Sequence, residues 1–264
     1  MLEVTGLTRA YGSHTAIADV SLQVADSELV TIVGPSGCGK STLLRCLAGL
    51  LPPTSGQVVL DGVTVTKVPD RLAVVFQDYS RSLYPWLSVA DNVALPLRRA
   101  GGGDAKHGGV KHGRTARRKS ALAALDSVGL AGFADRYPWQ LSGGMQQRVA
   151  IARALACDPV LLLMDEPFGS MDAQMREDLE DLVLRVRAER DITILLVTHD
   201  IDESVYTGDR VVVLSHGPGQ VVADVPVDLP APRDQITTKE LREFARLRAE
   251  VSRLVRATKL PEPL

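Results

Sequence analysis

One stretch constrains this chain more than any other: Gly34-Pro35-Ser36-Gly37-Cys38-Gly39-Lys40-Ser41-Thr42. Its spacing is G-x-x-x-x-G-K-[ST], the pattern of a phosphate-binding loop. The context is the one that pattern requires. Leu29-Val30-Thr31-Ile32-Val33 reads as a buried strand, and the run from Lys40 to a C-terminal glycine signal at Gly49 reads as a helix. Glycines let backbone N–H groups turn inward at a helix N-terminus, where the helix dipole favours an anion. Lys40 adds a point charge for the β- and γ-phosphates of a nucleotide, and the Ser41 hydroxyl suits Mg²⁺. A loop of this kind leaves many functions open.

Two later stretches narrow them. Leu141-Ser142-Gly143-Gly144-Met145 opens a helix, with Ser142 of N-cap type and glycines that expose backbone N–H groups. Taken alone, this is also how an ordinary helix starts. Further on, the apolar run Val160-Leu161-Leu162-Leu163-Met164 ends in Asp165 and Glu166. Acids at the C-terminal end of a strand in an α/β sheet sit where ligands bind. Gln77 ends the strand Leu72 to Phe76, His199 follows Ile194 to Thr198, and Asp172 closes Gly169-Ser170-Met171-Asp172. Read singly, each is also a satisfied polar group at the end of an element. Tyr11, before Gly12, is also a plain surface tyrosine.

In this order, the stretches resemble the ATPase subunit of an ATP-binding-cassette (ABC) transporter, from about Leu2 to about Leu214. The resemblance implies ATP with Mg²⁺. It assigns Gly34 to Thr42 to the phosphates and Tyr11 to the adenine. Ser41, Gln77 and Asp165 go to the metal, Asp165 through water. Glu166 becomes the general base for the attacking water, and His199 the switch residue that reaches the γ-phosphate. Leu141 to Met145 correspond to the signature element that completes the site of the opposite subunit, with Met145 where glutamine is commoner. Asp172 corresponds to the D-loop at a dimer interface. Two cassettes acting as a homodimer are therefore implied, with permease subunits in the membrane and an extracytoplasmic solute-binding protein. Such a chain sits peripherally on the cytoplasmic face of the cell membrane. Leu83-Tyr84-Pro85-Trp86-Leu87-Ser88 and Asp228-Leu229-Pro230-Ala231-Pro232-Arg233-Asp234 resemble the nitrate, sulfonate and taurine importers of that family. Alternatives are a soluble ABC ATPase of repair or translation, an ABC ATPase of another importer or exporter class, and a P-loop kinase or GTPase. Soluble ABC ATPases usually carry tandem cassettes or long coiled-coil insertions, and neither is visible here.

The rest of the chain fits. At 264 residues and 45% hydrophobic it has ample material for a packed core. A net charge of −2 gives no global basic field for nucleic acid. Cys38, Cys46 and Cys157 form no disulfide pattern. Met1 is not followed by a signal-peptide pattern, and no apolar run reaches the roughly 18 residues that span a bilayer. The expected fold is α/β: a P-loop core with a mainly parallel sheet, an N-terminal antiparallel β subdomain and an inserted helical subdomain at about 78–157. Residues 1–225 form the ATPase domain, with a flexible basic insertion at about 100–119 that carries His107 and His112. That insertion reads as solvated chain, with anionic-lipid contact and metal binding as alternatives. Residues 226–264 form a tail whose prolines Pro226, Pro230 and Pro232 oppose regular structure. Within it Leu241, Phe244, Leu247, Val251, Leu254 and Val255 recur at the spacing of an amphipathic helix, for its own domain or for a partner.

Overall fold

The computed structural model describes residues 1–78, 82–98, 113–169 and 171–258. Two sheets divide the strands. The first is antiparallel, in the order β2-β1-β4-β5, and comprises β1 (Leu2–Tyr11), β2 (His14–Val24), β4 (Ser55–Leu60) and β5 (Val63–Thr64). Its strands alternate. Leu2, Val4 and Leu7 of β1 and Ile17, Val20, Leu22 and Val24 of β2 are buried, while their neighbours along the strand, apart from the buried Ala16, are exposed or partly so.

The second sheet runs β10-β9-β3-β8-β7-β6. It contains β3 (Leu29–Val33), β6 (Leu72–Val75), β7 (Leu161–Asp165), β8 (Thr193–Val197), β9 (Arg210–Leu214) and β10 (Val221–Pro226). All pairs are parallel except β10 with β9. Every residue of β3, β7 and β8 is buried, as in a parallel sheet covered on both faces. The carboxyl ends of these three strands come together. Glu166 N–H donates to Val197 O (2.8 Å) and Thr198 N–H to Ile32 O (3.1 Å), which holds the loops leaving β7 and β8 beside the phosphate loop that leaves β3.

Helix α1 (Lys40–Leu47) lies between the sheets. Its Leu43, Leu44, Cys46 and Leu47 pack in one core with Val4, Ile32, Leu163 and Leu195. The other face of the parallel sheet is covered by α2 (Val89–Ala94), α3 (Arg114–Ser127), α4 (Gly143–Leu155) and α5 (Ala173–Arg190). Helix α4 is central and buried on most sides, from Gly144 and Gln147 to Leu155. The buried Asn92 of α2 fixes the preceding loop: its Nδ2 donates to Tyr84 O (3.0 Å) and its Oδ1 accepts from Tyr84 N–H (2.8 Å). Trp86, in that loop, is 71% exposed and so does not anchor α2 to the chain's own core. Among the described residues no helix is long and apolar enough to cross a membrane.

Two boundaries differ from the sequence expectation. The division at residues 225/226 falls inside β10, which runs through Pro226 paired with Arg210. Proline is tolerated there because β10 is an edge strand. Beyond it, Val227 and Leu229 are buried with Phe244, Leu247 and Val251 of α7 (Arg242–Ala257) against α6 (Ile201–Thr207) and β9. The amphipathic helix thus covers its own domain. The basic insertion is also shorter than 100–119, since α3 begins at Arg114 and Arg118 pairs with Asp135 (2.7 Å). His107 and His112, with any metal or lipid reading of them, lie outside the described residues. Replacing residues 100–112 with a short Gly/Ser link should leave ATPase activity within about twofold, because loop closure depends weakly on length. The rate of phosphate release from the purified variant measures this, and loss of activity in a folded variant would show that the replaced segment supports the site.

Candidate nucleotide site

The phosphate loop has the shape its glycines permit. Gly39 has φ 96°, and a Cβ there would stand 2.5 Å from Ala16 O, so no side chain fits. The turn brings Lys40 back over the loop, where Nζ donates to Gly34 O (2.8 Å) and Pro35 O (3.0 Å). Above it lies a cleft of about 360 Å³ lined by Tyr11, His14, Ala16, Ser36, Gly37, Gly39, Lys40, Ser41, Thr42 and Glu166. Helix α1 points its N-terminus into this cleft with no acid in its first turn, which suits an anionic ligand. Cys38 is buried under the loop and burial pushes its thiol up, so it packs rather than reacts.

The acids at the end of β7 occupy different environments. Asp165 is buried and accepts from Ser41 Oγ (3.1 Å). Burial pushes its carboxyl above the usual carboxylate range, and the adjacent Glu166 adds to this. The Ser41 hydrogen bond, Arg45 and Lys40 pull the other way. Glu166 is the first residue past the strand and has φ 44°, a left-handed conformation that costs a non-glycine residue on the order of 1–3 kcal/mol. This turn sends its carboxylate towards two other predicted residues. Gln77 Nε2 donates to Glu166 Oε2 (2.9 Å), and His199 Nδ1 lies 3.3 Å from the same oxygen. Residues from the ends of β6, β7 and β8 therefore meet on one carboxylate.

Ser142, Gly143, Gly144 and Asp172 are placed elsewhere. Ser142 caps α4, accepting from Met145 N–H (3.3 Å), and Asp172 caps α5, accepting from Met175 N–H (2.9 Å). Gly144 lies against α5: a Cβ there would stand 2.9 Å from Met175 Sδ. Ser142, Gly144 and Met145 line a separate cavity of about 240 Å³ with Arg148 and Met175. The link back to the acids is Gln147, buried in α4, whose Nε2 donates to Pro167 O (3.0 Å), next to Glu166.

Sequence reasoning did not reach the partners of Tyr11. The Arg9 guanidinium lies 4.7 Å from the centre of its ring and donates to Pro52 O (2.9 Å). Tyr11 is 45% exposed. The i, i+2 spacing of Arg9 and Tyr11 on β1 was the available signal. His14, which lines the cleft, faces Tyr11 across the hairpin.

Among the described residues no group of three or more His, Cys, Asp or Glu side chains could hold a metal ion. The oxygens at hand, Ser41 Oγ and Asp165 Oδ1, fit a hard dication that takes its remaining ligands from phosphates and water. Such an ion would also reverse the effect of burial on Asp165.

A glycine loop on a helix N-terminus, facing strand-end acids on a parallel sheet, defines a P-loop nucleoside triphosphatase. The ABC transporter family model matches residues 17–169, and the chain belongs to that family. It is 47% identical over 222 residues to the taurine import ATP-binding protein TauB of Yersinia pestis bv. Antiqua (strain Antiqua), covering 84% of this chain and 82% of that one. It is 44% identical over 247 residues to the aliphatic sulfonates import ATP-binding protein SsuB 2 of Burkholderia cenocepacia (strain HI2424), covering 94% and 86%. The fold matches the dimeric post-hydrolysis structure of the ATP-binding cassette MJ0796 bound to ADP and Pi. That match has a TM-score of 0.72 at 34% identity, over 86% of this chain and 99% of that one. The chain is an ABC-type ATPase, with the α/β cassette fold of its family.

Proposed function

We propose that this chain powers import of a small anion of the sulfonate type, as the peripheral ATPase on the cytoplasmic face of the membrane. Two copies work beneath permease subunits that an extracytoplasmic solute-binding protein supplies. The meeting of Gln77 and His199 on Glu166, across a cleft from Lys40 and Ser41, carries the ATPase part of the reading, and the likeness to the taurine and sulfonate import proteins supports the solute class. When ATP enters, Lys40 exchanges the carbonyls of Gly34 and Pro35 for phosphate oxygens, and Tyr11 receives the adenine on its exposed ring. Ser41, Gln77 and Asp165 would hold the Mg²⁺ that accompanies ATP, an ion that would neutralise phosphate charge. Glu166 accepts the proton of the attacking water. His199 steadies Glu166 and reaches the γ-phosphate, and Ser142 to Gly144 close on the ATP of the partner chain. The exposed Tyr84 and Trp86 lie downstream of Gln77, ready to meet the permease.

Uptake of labelled taurine, alkanesulfonate and nitrate by cells carrying Lys40→Ala in this chain tests the reading. Loss of sulfonate uptake, with a multi-spanning protein co-purifying with the wild-type chain, is the expected result. Unchanged uptake of all three anions would overturn the solute class. Recovery of the chain with no membrane protein would overturn the transport role.

A further inference from the structure

We infer that Thr198 and Glu203 form a clamp that positions His199, an inference that rests on the reading of His199 above. Thr198 is buried, one residue before His199. Its hydroxyl donates to Glu203 Oε2 (2.5 Å) and accepts from Asp200 N–H (3.0 Å). The side chain preceding His199 therefore holds the backbone N–H that follows it and is itself anchored on the Glu203 carboxylate. The grip is braced from both directions. Asp200 caps α6 through the N–H groups of Asp202 (2.8 Å) and Glu203 (3.2 Å). Arg176, one turn into α5, donates to Asp200 Oδ2 (3.2 Å) and lies 3.5 Å from Glu203 Oε1. Since Asp172 caps α5, the clamp also ties His199 to the helix that the predicted D-loop residue starts.

Neither partner is explained by ordinary packing. Glu203 is 5% exposed, a position that carboxylates rarely take without a partner. A threonine needed only for its volume would not require a buried acid beneath its hydroxyl. The ionisable groups facing Glu203 are Arg176 and Glu180 of α5 and Asp200 at the head of its own helix. Lys239 of the C-terminal segment acts on Glu180, and Asp202 is turned to Arg248 of α7 (2.5 Å). Burial is the main cause that pushes the Glu203 carboxyl up to about 7, with Asp200 and Glu180 adding, against the Thr198 hydrogen bond and Arg176. Ionised, Glu203 attracts Arg176 and the Thr198 hydroxyl. As pH falls through about 7 it takes a proton and that attraction is lost. Its effect on folding has the opposite sign: a raised carboxyl pKa contributes stability at low pH that is lost as pH rises through about 7.

The test compares Thr198→Ser, Thr198→Val and Glu203→Gln in steady-state ATP hydrolysis, with melting temperatures to confirm folding. Thr198→Ser keeps the hydroxyl and should turn over like the wild type. Thr198→Val keeps the shape and should lose kcat by roughly ten- to a hundredfold, the effect of a small misplacement, with KM for ATP unchanged. Wild-type kcat is expected to rise as pH passes upward through about 7, and Glu203→Gln, which still accepts from Thr198 but cannot ionise, should lose that rise. Full turnover in Thr198→Val, or equal damage in the Ser and Val variants, would overturn the clamp. So would a wild-type pH profile in Glu203→Gln. A His199→Ala variant separates the two levels. Normal turnover in it overturns the reading of His199 itself. If it is impaired, and its loss adds in full to that of Thr198→Val, His199 matters but the clamp does not hold it.

Discussion

Glu166→Gln is expected to keep ATP binding and to lower turnover by roughly 10²–10⁴, the usual worth of a positioned general base. The substitution is close to isosteric. The amide oxygen still accepts from Gln77 Nε2, the left-handed backbone is no worse for glutamine than for glutamate, and the hydrogen bond from the residue 166 N–H to Val197 O is untouched. What is lost is the ability to take a proton from water. ATP-bound pairs should then accumulate, since in the proposed mechanism the pair closes before it hydrolyses. Phosphate release under single-turnover conditions measures the chemical step, and size-exclusion chromatography with ATP measures the pairs. Near-normal turnover in the variant would remove Glu166 from the role of base.

Mixing two inactive variants should restore activity. Lys40→Ala removes the phosphate-loop cation, and Ser142→Arg places a bulky charge where the signature helix starts. Ser142→Arg also gives up an N-cap worth about 1 kcal/mol, so its folding is checked by melting first. Each variant alone should be inactive. A mixed pair retains one intact site, made from the phosphate loop of the Ser142→Arg chain and the signature of the Lys40→Ala chain. Partial ATPase activity should return on mixing. A crosslink between Ser36→Cys on one chain and Ser142→Cys on the other, formed with ATP bound, gives a readout that does not depend on turnover. Cys38 and Cys46 are buried, so only the partly exposed Cys157 needs replacement to keep the background low. A crosslink within one chain only, or full activity from a proven monomer, would rule out the shared site.

The elements around the site were legible because their signals are local. The buried strands β3, β7 and β8 are predominantly apolar runs, and Ser142 and Asp172 announce helix starts by residue type. Arrangements that depend on the tertiary fold were not. No local rule gives a glutamate a positive φ, so the turn that aims Glu166 at Gln77 and His199 was out of reach. The tail is less legible because proline opposes regular structure in most settings, whereas an edge strand accepts Pro226, and Val227 and Leu229 then find a core with α7. The start of α3 at Arg114 was hidden because arginines near glycines look like solvated chain until Ala121, Ala124 and Leu125 are seen packing inward.

Gln147 has a consequence for coupling. In a pair built as proposed, α4 touches the partner's ATP at its first turn, while Gln147, one turn further, holds the carbonyl of Pro167 beside the chain's own Glu166. A single amide therefore stands between two fuel molecules. In that arrangement the two nucleotide sites of a pair are joined through one buried hydrogen bond, which makes Gln147 the shortest bridge between a grip on one ATP and the acid beside the other.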